Sequence, residues 1–550
     1  MKNITYLFLL FSTVNLEVSS QKCLEQEIKN YLNYYSQVPG PFQELAASNP
    51  TQVYTYAKTA EHAVEQYNNK YQVVYRLRGI VSYKEISKSV VTFTLRVQAR
   101  GGGEVIHGLF HVHQTSHGEK QTTTLLSSVV PLAVPKKSTC DKISREANCS
   151  KCDDLGRCIK GQVPLDPWLA FAMKTQREIQ IDQSFVQVQY FAAHNAFNDR
   201  ADGYGEADDC PWPPPYHPEC FSLANQEFSF TDMLNMGYHA LEIDPWWCFD
   251  KIRLSHATDH ALGCAPVDRH FEDAIMEIGQ WVHKPENQGK VIRLYFEDGE
   301  DHTQGHDELI NGPIQQYLRN KVFTPSDKND TFGGKWPTIR QLRKLNKTVI
   351  ISTSGTYTHG GAYIHDGYWN ETIVNEFTPY PKCGGKTSSN ILRFYCDSTN
   401  YGPFWDGPKE TGVILNFTEF VKCRIQYPAA DQVNPSLLKT GVFTWAEGQP
   451  ASPLANTSCV FLDISIHSWK VSSNCTTQLF SACVNRTNNE HWTISQTPSA
   501  YNSKPSCPDA FQFGLPVNGF QQQKIIEVAK NVSVWINLTP YISLLMATET

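Results

Sequence analysis

The sequence predicts two unlike parts: a small antiparallel β domain, and after it a larger α/β unit built on a parallel sheet or barrel. Three observations carry this. Between Tyr71 and Val134, apolar and polar residues alternate as in half-buried strands. From about Gln180, short apolar runs alternate with helical stretches. The chain has 550 residues, more than one ordinary domain takes.

The elements follow in chain order. Lys2, the apolar run Tyr6 to Val14, and small residues at Val18 and Ser20 read as a secretory signal over residues 1–20. Residues 21–138 are expected to form the β-rich domain, opening on a helical stretch from Leu24 to Asn68. In its clearest strand Val91, Phe93, Leu95 and Val97 alternate with Thr92, Thr94, Arg96 and Gln98. Tyr71 to Tyr83, Glu104 to Gln114 and Thr122 to Val134 have similar patterns. His107, His111 and His113 read as part of an imidazole-bearing sheet surface, with metal binding the alternative. Residues 139–179 form a connector in which Cys140, Cys149, Cys152 and Cys158 cluster. Such spacing suits zinc, but an oxidising compartment favours disulfides.

The larger unit is expected over 180–550. Its series runs Phe185 to Ala192, Phe228 to Met236, Ala240 to Ile243, Phe271 to Val282 and Val291 to Phe296. Thr348 to Ser352 and Gly441 to Trp445 continue it, and Val534 to Asn537 reads as a last strand. Between them, about 451–525 reads as a disulfide-rich insertion holding Cys459, Cys475 and Cys483. This segment faintly resembles the end of a C-type lectin domain but is too short for the whole fold.

Composition narrows the function. Formal net charge is −7, so no broad cationic face is implied and nucleic acid is not an expected partner. No stretch after the signal approaches the roughly 20 apolar residues of a membrane helix. All 16 cysteines follow the signal, and the even number reads as disulfides. Glycosylation sequons fall at Asn148, Asn329, Asn346, Asn370, Asn416, Asn456, Asn474, Asn485, Asn531 and Asn537. The expectation is a secreted, or otherwise lumenal, glycoprotein.

Chemistry gathers at three strand ends. Ala193-His194-Asn195 closes the first run. In Leu241-Glu242-Ile243-Asp244 both carboxylates point to one face, because side chains alternate along a strand. Leu294-Tyr295-Phe296-Glu297-Asp298 is the third, and Leu254-Ser255-His256 lies between the last two. Carboxylates on one face repel unless a cation intervenes, and oxygen-only ligands suit calcium or magnesium. Histidines beside such a cation suit phosphoryl chemistry.

In this order and spacing, Phe191 to about Asp301 resembles the X region of phosphoinositide-specific phospholipase C. The family's Ser-His-Asn-Thr-Tyr appears as Ala193-His194-Asn195-Ala196-Phe197, and its Glu-Leu-Asp-Cys-Trp as Glu242-Ile243-Asp244-Pro245-Trp246. His256 follows at the expected interval, with Ser255 replacing a glycine and His260 a nearby competitor, and Val291-Ile292 leads to Glu297. Bacterial single-domain relatives place an arginine at the second acid; Asp244 makes this chain similar to the metal-using branch. An insertion rich in proline and acid, Asp199 to Cys220, departs from the pattern.

The resemblance implies a TIM-type (β/α)8 barrel and a calcium-dependent phosphodiesterase acting on a phosphoinositide or related lipid, with a peripheral membrane surface among its partners. It implies His194 and His256 as catalytic residues, and Asn195, Glu242, Asp244 and Glu297 as cation ligands. Whether Glu297 or Asp298 is the third acid stays open. The alternatives are a glycerophosphodiester or sphingomyelin phosphodiesterase on the same barrel, or a non-catalytic lectin-like adhesion glycoprotein.

Overall fold

A computed structural model describes residues 50–71, 75–87, 90–99, 106–117, 120–129, 158–202, 204, 225–248, 251–255, 268–297, 306–353, 362–365, 370–373, 379–383, 392–395 and 416–546. The signal, the first three connector cysteines, His256, His260 and Asp298 lie outside these residues.

The N-terminal part is a helix laid on an antiparallel sheet. Strands β1 (Tyr75–Ser87), β2 (Val90–Ala99), β3 (Ile106–His117) and β4 (Lys120–Val129) pair in sequence order. The helix Pro50–Tyr71 buries Tyr56, Ala57, Ala60, Ala63, Val64 and Tyr67, a helical spacing. It meets the alternating face of β2, with Tyr56 5.7 Å from Phe93 between ring centroids.

The larger part centres on eight parallel strands. They are β5 (Ala192–Ala193), β6 (Ala240–Ile243), β9 (Ile292–Phe296), β10 (Val349–Thr353), β11 (Ile364–His365), β12 (Asn370–Ile373), β13 (Leu392–Tyr395) and β14 (Tyr427–Ala430). A hairpin, β7 (Pro245–Cys248) and β8 (Lys251–Leu254), follows β6 directly. The sheet order is β11-β10-β9-β6-β5-β14-β13-β12, with every pairing parallel. This is chain order read cyclically, opened between β11 and β12.

Both faces of the sheet are buried, as helical crossovers require. Ala193, Leu241, Ile243, Leu294, Phe296 and Ile351 belong to one hydrophobic cluster. Their neighbours Ala192, Ala240, Ile350, Tyr427 and Ala429 belong to a second. The first cluster includes the helix Phe271–Val282, which buries Phe271, Ala274, Ile275, Ile278, Trp281 and Val282. It also includes Leu169, Ala172 and Met173 of the helix Pro167–Glu178, so this end of the connector shares the core of the larger unit. Gly237, at φ 118°, ends the helix Phe230–Met236 in a left-handed turn that only glycine adopts easily, and so aims the chain into β6.

Three expected strands differ. Phe185 to Ala192 is mostly irregular: Phe185–Gln187 is a 3₁₀ turn and the ladder starts only at Ala192. Gly441 to Trp445 is no strand of the eight-stranded sheet. Trp445 makes one parallel bridge, to Trp469, while at Phe443 side chains take the backbone bonds, its N–H donating to Gln176 Oε1 (2.8 Å) and its carbonyl accepting from Gln522 Nε2 (2.5 Å). The third, β20 (Val534–Trp535), lies outside the parallel sheet.

That strand belongs to a separate six-stranded sheet. It contains β15 (Val460–Asp463), β16 (Ser468–Val471), β17 (Phe480–Asn485), β18 (Trp492–Ile494), β19 (Phe511–Phe513) and β20 (Val534–Trp535). β20 pairs with β15 and β17, drawn there by Trp535, which packs on Phe461 and Tyr501. The sheet therefore runs past the insertion's expected end at 525. Cys459–Cys475 and Cys483–Cys507 pin it, and Cys383–Cys423 forms a third disulfide. Cys158 is also disulfide-bonded. Among the described residues no helix is long and apolar enough to cross a membrane.

Candidate metal and phosphoryl site

Parallel pairing sets the site. Ala193 is level with Leu241 and Ala430, and Glu242 is level with Tyr295. The residues just past these rungs therefore meet at the C-terminal ends of neighbouring strands. They are His194 and Asn195 after β5, Asp244 after β6, Glu297 after β9 and Asp431 after β14.

Glu242, Asp244 and Glu297 each bring one carboxylate oxygen to within 4.8 Å of the others'. Glu242 and Asp244 are buried and Glu297 is exposed, so the group opens to solvent on one side. Asn195 stands beside them at φ 41°, an unfavourable conformation for a residue with a Cβ. Its N–H donates to Glu242 Oε2 (3.2 Å), and the Ala196 N–H donates to the Glu242 carbonyl (3.0 Å). Both polar atoms of the Asn195 side chain are buried with no hydrogen-bond partner among the described residues. Such orphaned atoms are costly unless a ligand meets them.

His194 is 3% exposed. Its Nδ1 lies 2.8 Å from Asp431 Oδ1, and its Nε2 lies 3.9 Å from Glu242 Oε2. A carboxylate only accepts, so Nδ1 carries the proton and Nε2 is turned to the acids. The negative partner on Nδ1 stabilises positive charge on the ring. Asp431 was not among the residues singled out from the sequence. Its signal was present: Tyr427-Pro428-Ala429-Ala430-Asp431 is an apolar run ending in an acid, as at Asp244, with Pro428 obscuring the strand.

Below the acids one face of the sheet carries small side chains beside a single arginine. A cavity there is bounded by Glu242, Arg293, Tyr295 and the alanines 192, 240 and 429. The Arg293 guanidinium lies over the Tyr427 ring at 4.1 Å and donates to Ser352 Oγ at 3.0 Å.

The β7–β8 hairpin carries the chain towards His256. The Ser255 N–H donates to the Asp244 carbonyl (3.1 Å), extending the hairpin ladder to the residue before that histidine. The Tyr204 hydroxyl donates to the Leu254 carbonyl (2.8 Å) and accepts from the Arg269 N–H (2.9 Å).

The structure thus brings together His194, Asn195, Glu242, Asp244 and Glu297, five of the six expected site residues, and adds Asp431. The sixth, His256, lies outside the described residues. No protein-family model matches this chain, and no curated protein matches it in sequence.

Proposed function

We propose that this protein is a metal-dependent phosphoric diester hydrolase of the phospholipase C type, working on a closed (β/α)8 barrel. Cyclic strand order and the division of alternate residues into two hydrophobic clusters support closure of β11 onto β12. The observation that carries the function is the convergence of Glu242, Asp244 and Glu297 beside His194, from strand ends far apart in sequence.

The donor set fits a hard cation: three carboxylates and an amide whose buried oxygen has no hydrogen-bond partner among the described residues. Asn195, Glu242, Asp244 and Glu297 would hold calcium, with magnesium the alternative. Bound there, the ion supplies positive charge that favours deprotonation of an attacking hydroxyl and eases charge build-up at the phosphoryl group. A hydroxyl adjacent to the phosphate forms the new P–O bond, and the bond to the leaving oxygen breaks. Glu242 or Glu297 accepts the proton of the attacking hydroxyl. His194, held by Asp431, presents Nε2–H to a non-leaving phosphoryl oxygen. His256 gives a proton to the departing oxygen.

Disulfides, together with the exposure of sequon residues Asn329, Asn346, Asn416, Asn456, Asn474 and Asn531, support passage through an oxidising secretory compartment. The decisive experiment is hydrolysis of a panel of phosphoinositide, glycerophosphodiester and sphingomyelin substrates, with calcium and with a chelator. Chelator-sensitive cleavage of phosphoinositides is expected. Turnover confined to another headgroup reassigns the substrate, and no turnover on any member rejects the reading.

A further inference from the structure

We propose that Gln226 is a positioning residue that sets the His194–Asp431 pair. Its catalytic consequence rests on the phosphodiesterase reading; its structural consequence does not. Gln226 is fully buried at the end of the segment that crosses from β5 towards β6. Its Nε2 donates to the His194 carbonyl (2.6 Å) and to the Ala430 carbonyl (2.9 Å). Its Oε1 accepts from the Val433 N–H (3.1 Å). One amide therefore spans the ends of β5 and β14, where the parallel ladder stops after His194 N–H meets the Ala430 carbonyl (3.0 Å).

Asp431 sits inside this clamp. Ala430 before it and Val433 after it are both held by Gln226, and the Gln432 N–H donates to the neighbouring Asn225 carbonyl (2.7 Å). The backbone of Gln226 is fixed in turn: its N–H donates to the Asn198 carbonyl and its carbonyl accepts from the Arg200 N–H, each at 3.0 Å. The Nδ1 to Oδ1 distance of 2.8 Å leaves little slack. A displacement of about 1 Å takes it beyond hydrogen-bonding range.

Gln522 provides a matched control. It is also buried, its Nε2 donates to two carbonyls, of Phe443 and His467, and its Oε1 accepts from Trp469 Nε1. None of these groups belongs to the site. Gln226→Leu and Gln522→Leu therefore each remove three side-chain hydrogen bonds, and a purely structural role predicts similar consequences.

The test compares the two variants by melting temperature, steady-state kinetics and proton NMR of the low-field ring N–H. That resonance is assigned to His194 by its loss in His194→Gln. Both variants should melt earlier than the native protein. Gln226→Leu alone should lose the resonance and about 100-fold in kcat, with KM little changed. Retention of the resonance and kcat in Gln226→Leu, or equal losses in both variants, overturns the proposal. If Gln226→Leu does not fold, Gln226→Glu replaces it. Its protonated carboxyl can still donate one bond, so the resonance should survive at low pH and vanish as that carboxyl ionises. Persistence across the range where the native protein also shows it counts against the clamp. A native protein inactive on every diester removes the kinetic arm and the phosphodiesterase reading together, while the resonance still decides the role of Gln226.

Discussion

Two groups of acids, buried except for Glu297, interleave along the chain and differ in their neighbours. Asp202 and Glu277 are met by the protein's own cations. Arg269 bonds to Asp202 and to Glu277 (2.6 Å), and Lys160 reaches Glu277 (2.5 Å) and Asp202 (2.9 Å). Burial opposes charge on Glu277, yet Arg269 and Lys160 outweigh it and hold its carboxyl below the ordinary value. Asp199, buried beside Asp202, is pushed well above the carboxylate range by burial and then by that neighbour. Glu242, Asp244 and Glu297 instead converge on one another, and His194 Nε2 lies 3.9 Å from Glu242 Oε2. The first group is a completed internal network. The second is an acidic triad whose oxygens lie close enough together to ligate one ion.

Breaking the first group should produce the largest effect. Arg269→Met takes from two buried carboxylates the guanidinium that bonds both, and loss of one partner from a buried pair costs about 3–5 kcal/mol. Urea unfolding should register that loss. A change below about 1 kcal/mol would mean that the network contributes little and that the contrast between the two groups is false.

At the second group the loss should fall on catalysis. His194→Ala removes a preorganised charge stabiliser, worth about 3–4 kcal/mol in the barrier, with the fold intact by circular dichroism. His256→Ala should cost about a hundred- to ten-thousandfold in kcat and be partly rescued by a substrate with a better leaving group. His194→Ala should be rescued much less, because charge on the non-leaving oxygens remains. Equal rescue of both would show that the two roles are misassigned.

The same contrast explains what was legible in the sequence. Glu242, Asp244, Glu297, His194 and Asn195 stood out because each ends a short apolar run, and parallel pairing does bring such ends together. The antiparallel β domain was legible from alternation alone. β11 to β14 were not: they have two to four residues each, too few for any period to emerge. Gly441 to Trp445 looked like a strand because Val442, Phe443 and Trp445 are strand formers. A Cβ at Gly441 would come within 2.3 Å of the Phe191 ring, and glutamine side chains take both backbone bonds of Phe443. Long-range side-chain partners of this kind leave no local pattern. The Asp202–Arg269–Glu277 network was invisible for the same reason.

A pair of buried histidines sharpens the comparison by pH. His194 has a carboxylate partner, whereas His365 donates Nε2–H to the Phe323 carbonyl (2.8 Å), with Lys328 and Arg293 nearby. Burial first, then those cations, push the His365 imidazole down to about 4. The unfolded chain binds this proton near pH 6.5 and the folded chain only near 4. The stability that neutral His365 contributes is therefore fully present above pH 6.5 and lost as pH falls towards 4. The loss amounts to about 3 kcal/mol. His365→Gln keeps a donor but cannot titrate, so its unfolding free energy should fall less steeply over the same range. An unchanged slope would place the acid sensitivity elsewhere.

The smallest effect separates the two acid groups most cleanly, because one chemical change should act with opposite sign in each. A ligand that binds only the folded state stabilises it by about 2.7 kcal/mol at a hundred times its dissociation constant. Calcium should therefore raise the melting temperature of the native protein, and a chelator should reverse the rise. Asp244→Asn removes one carboxylate charge from the cluster and should weaken or abolish the calcium response. In chelator the same variant should melt no earlier than the native protein, since mutual repulsion among Glu242, Asp244 and Glu297 is then reduced. Asp202→Asn is the counterpart in the completed network. It takes a negative charge away from Arg269 and Lys160, so it should destabilise the fold with or without calcium and leave the calcium shift intact. If Asp244→Asn destabilises the chelated protein as Asp202→Asn does, the three strand-end acids are part of the structural core. If calcium shifts both variants equally, it binds somewhere other than these acids.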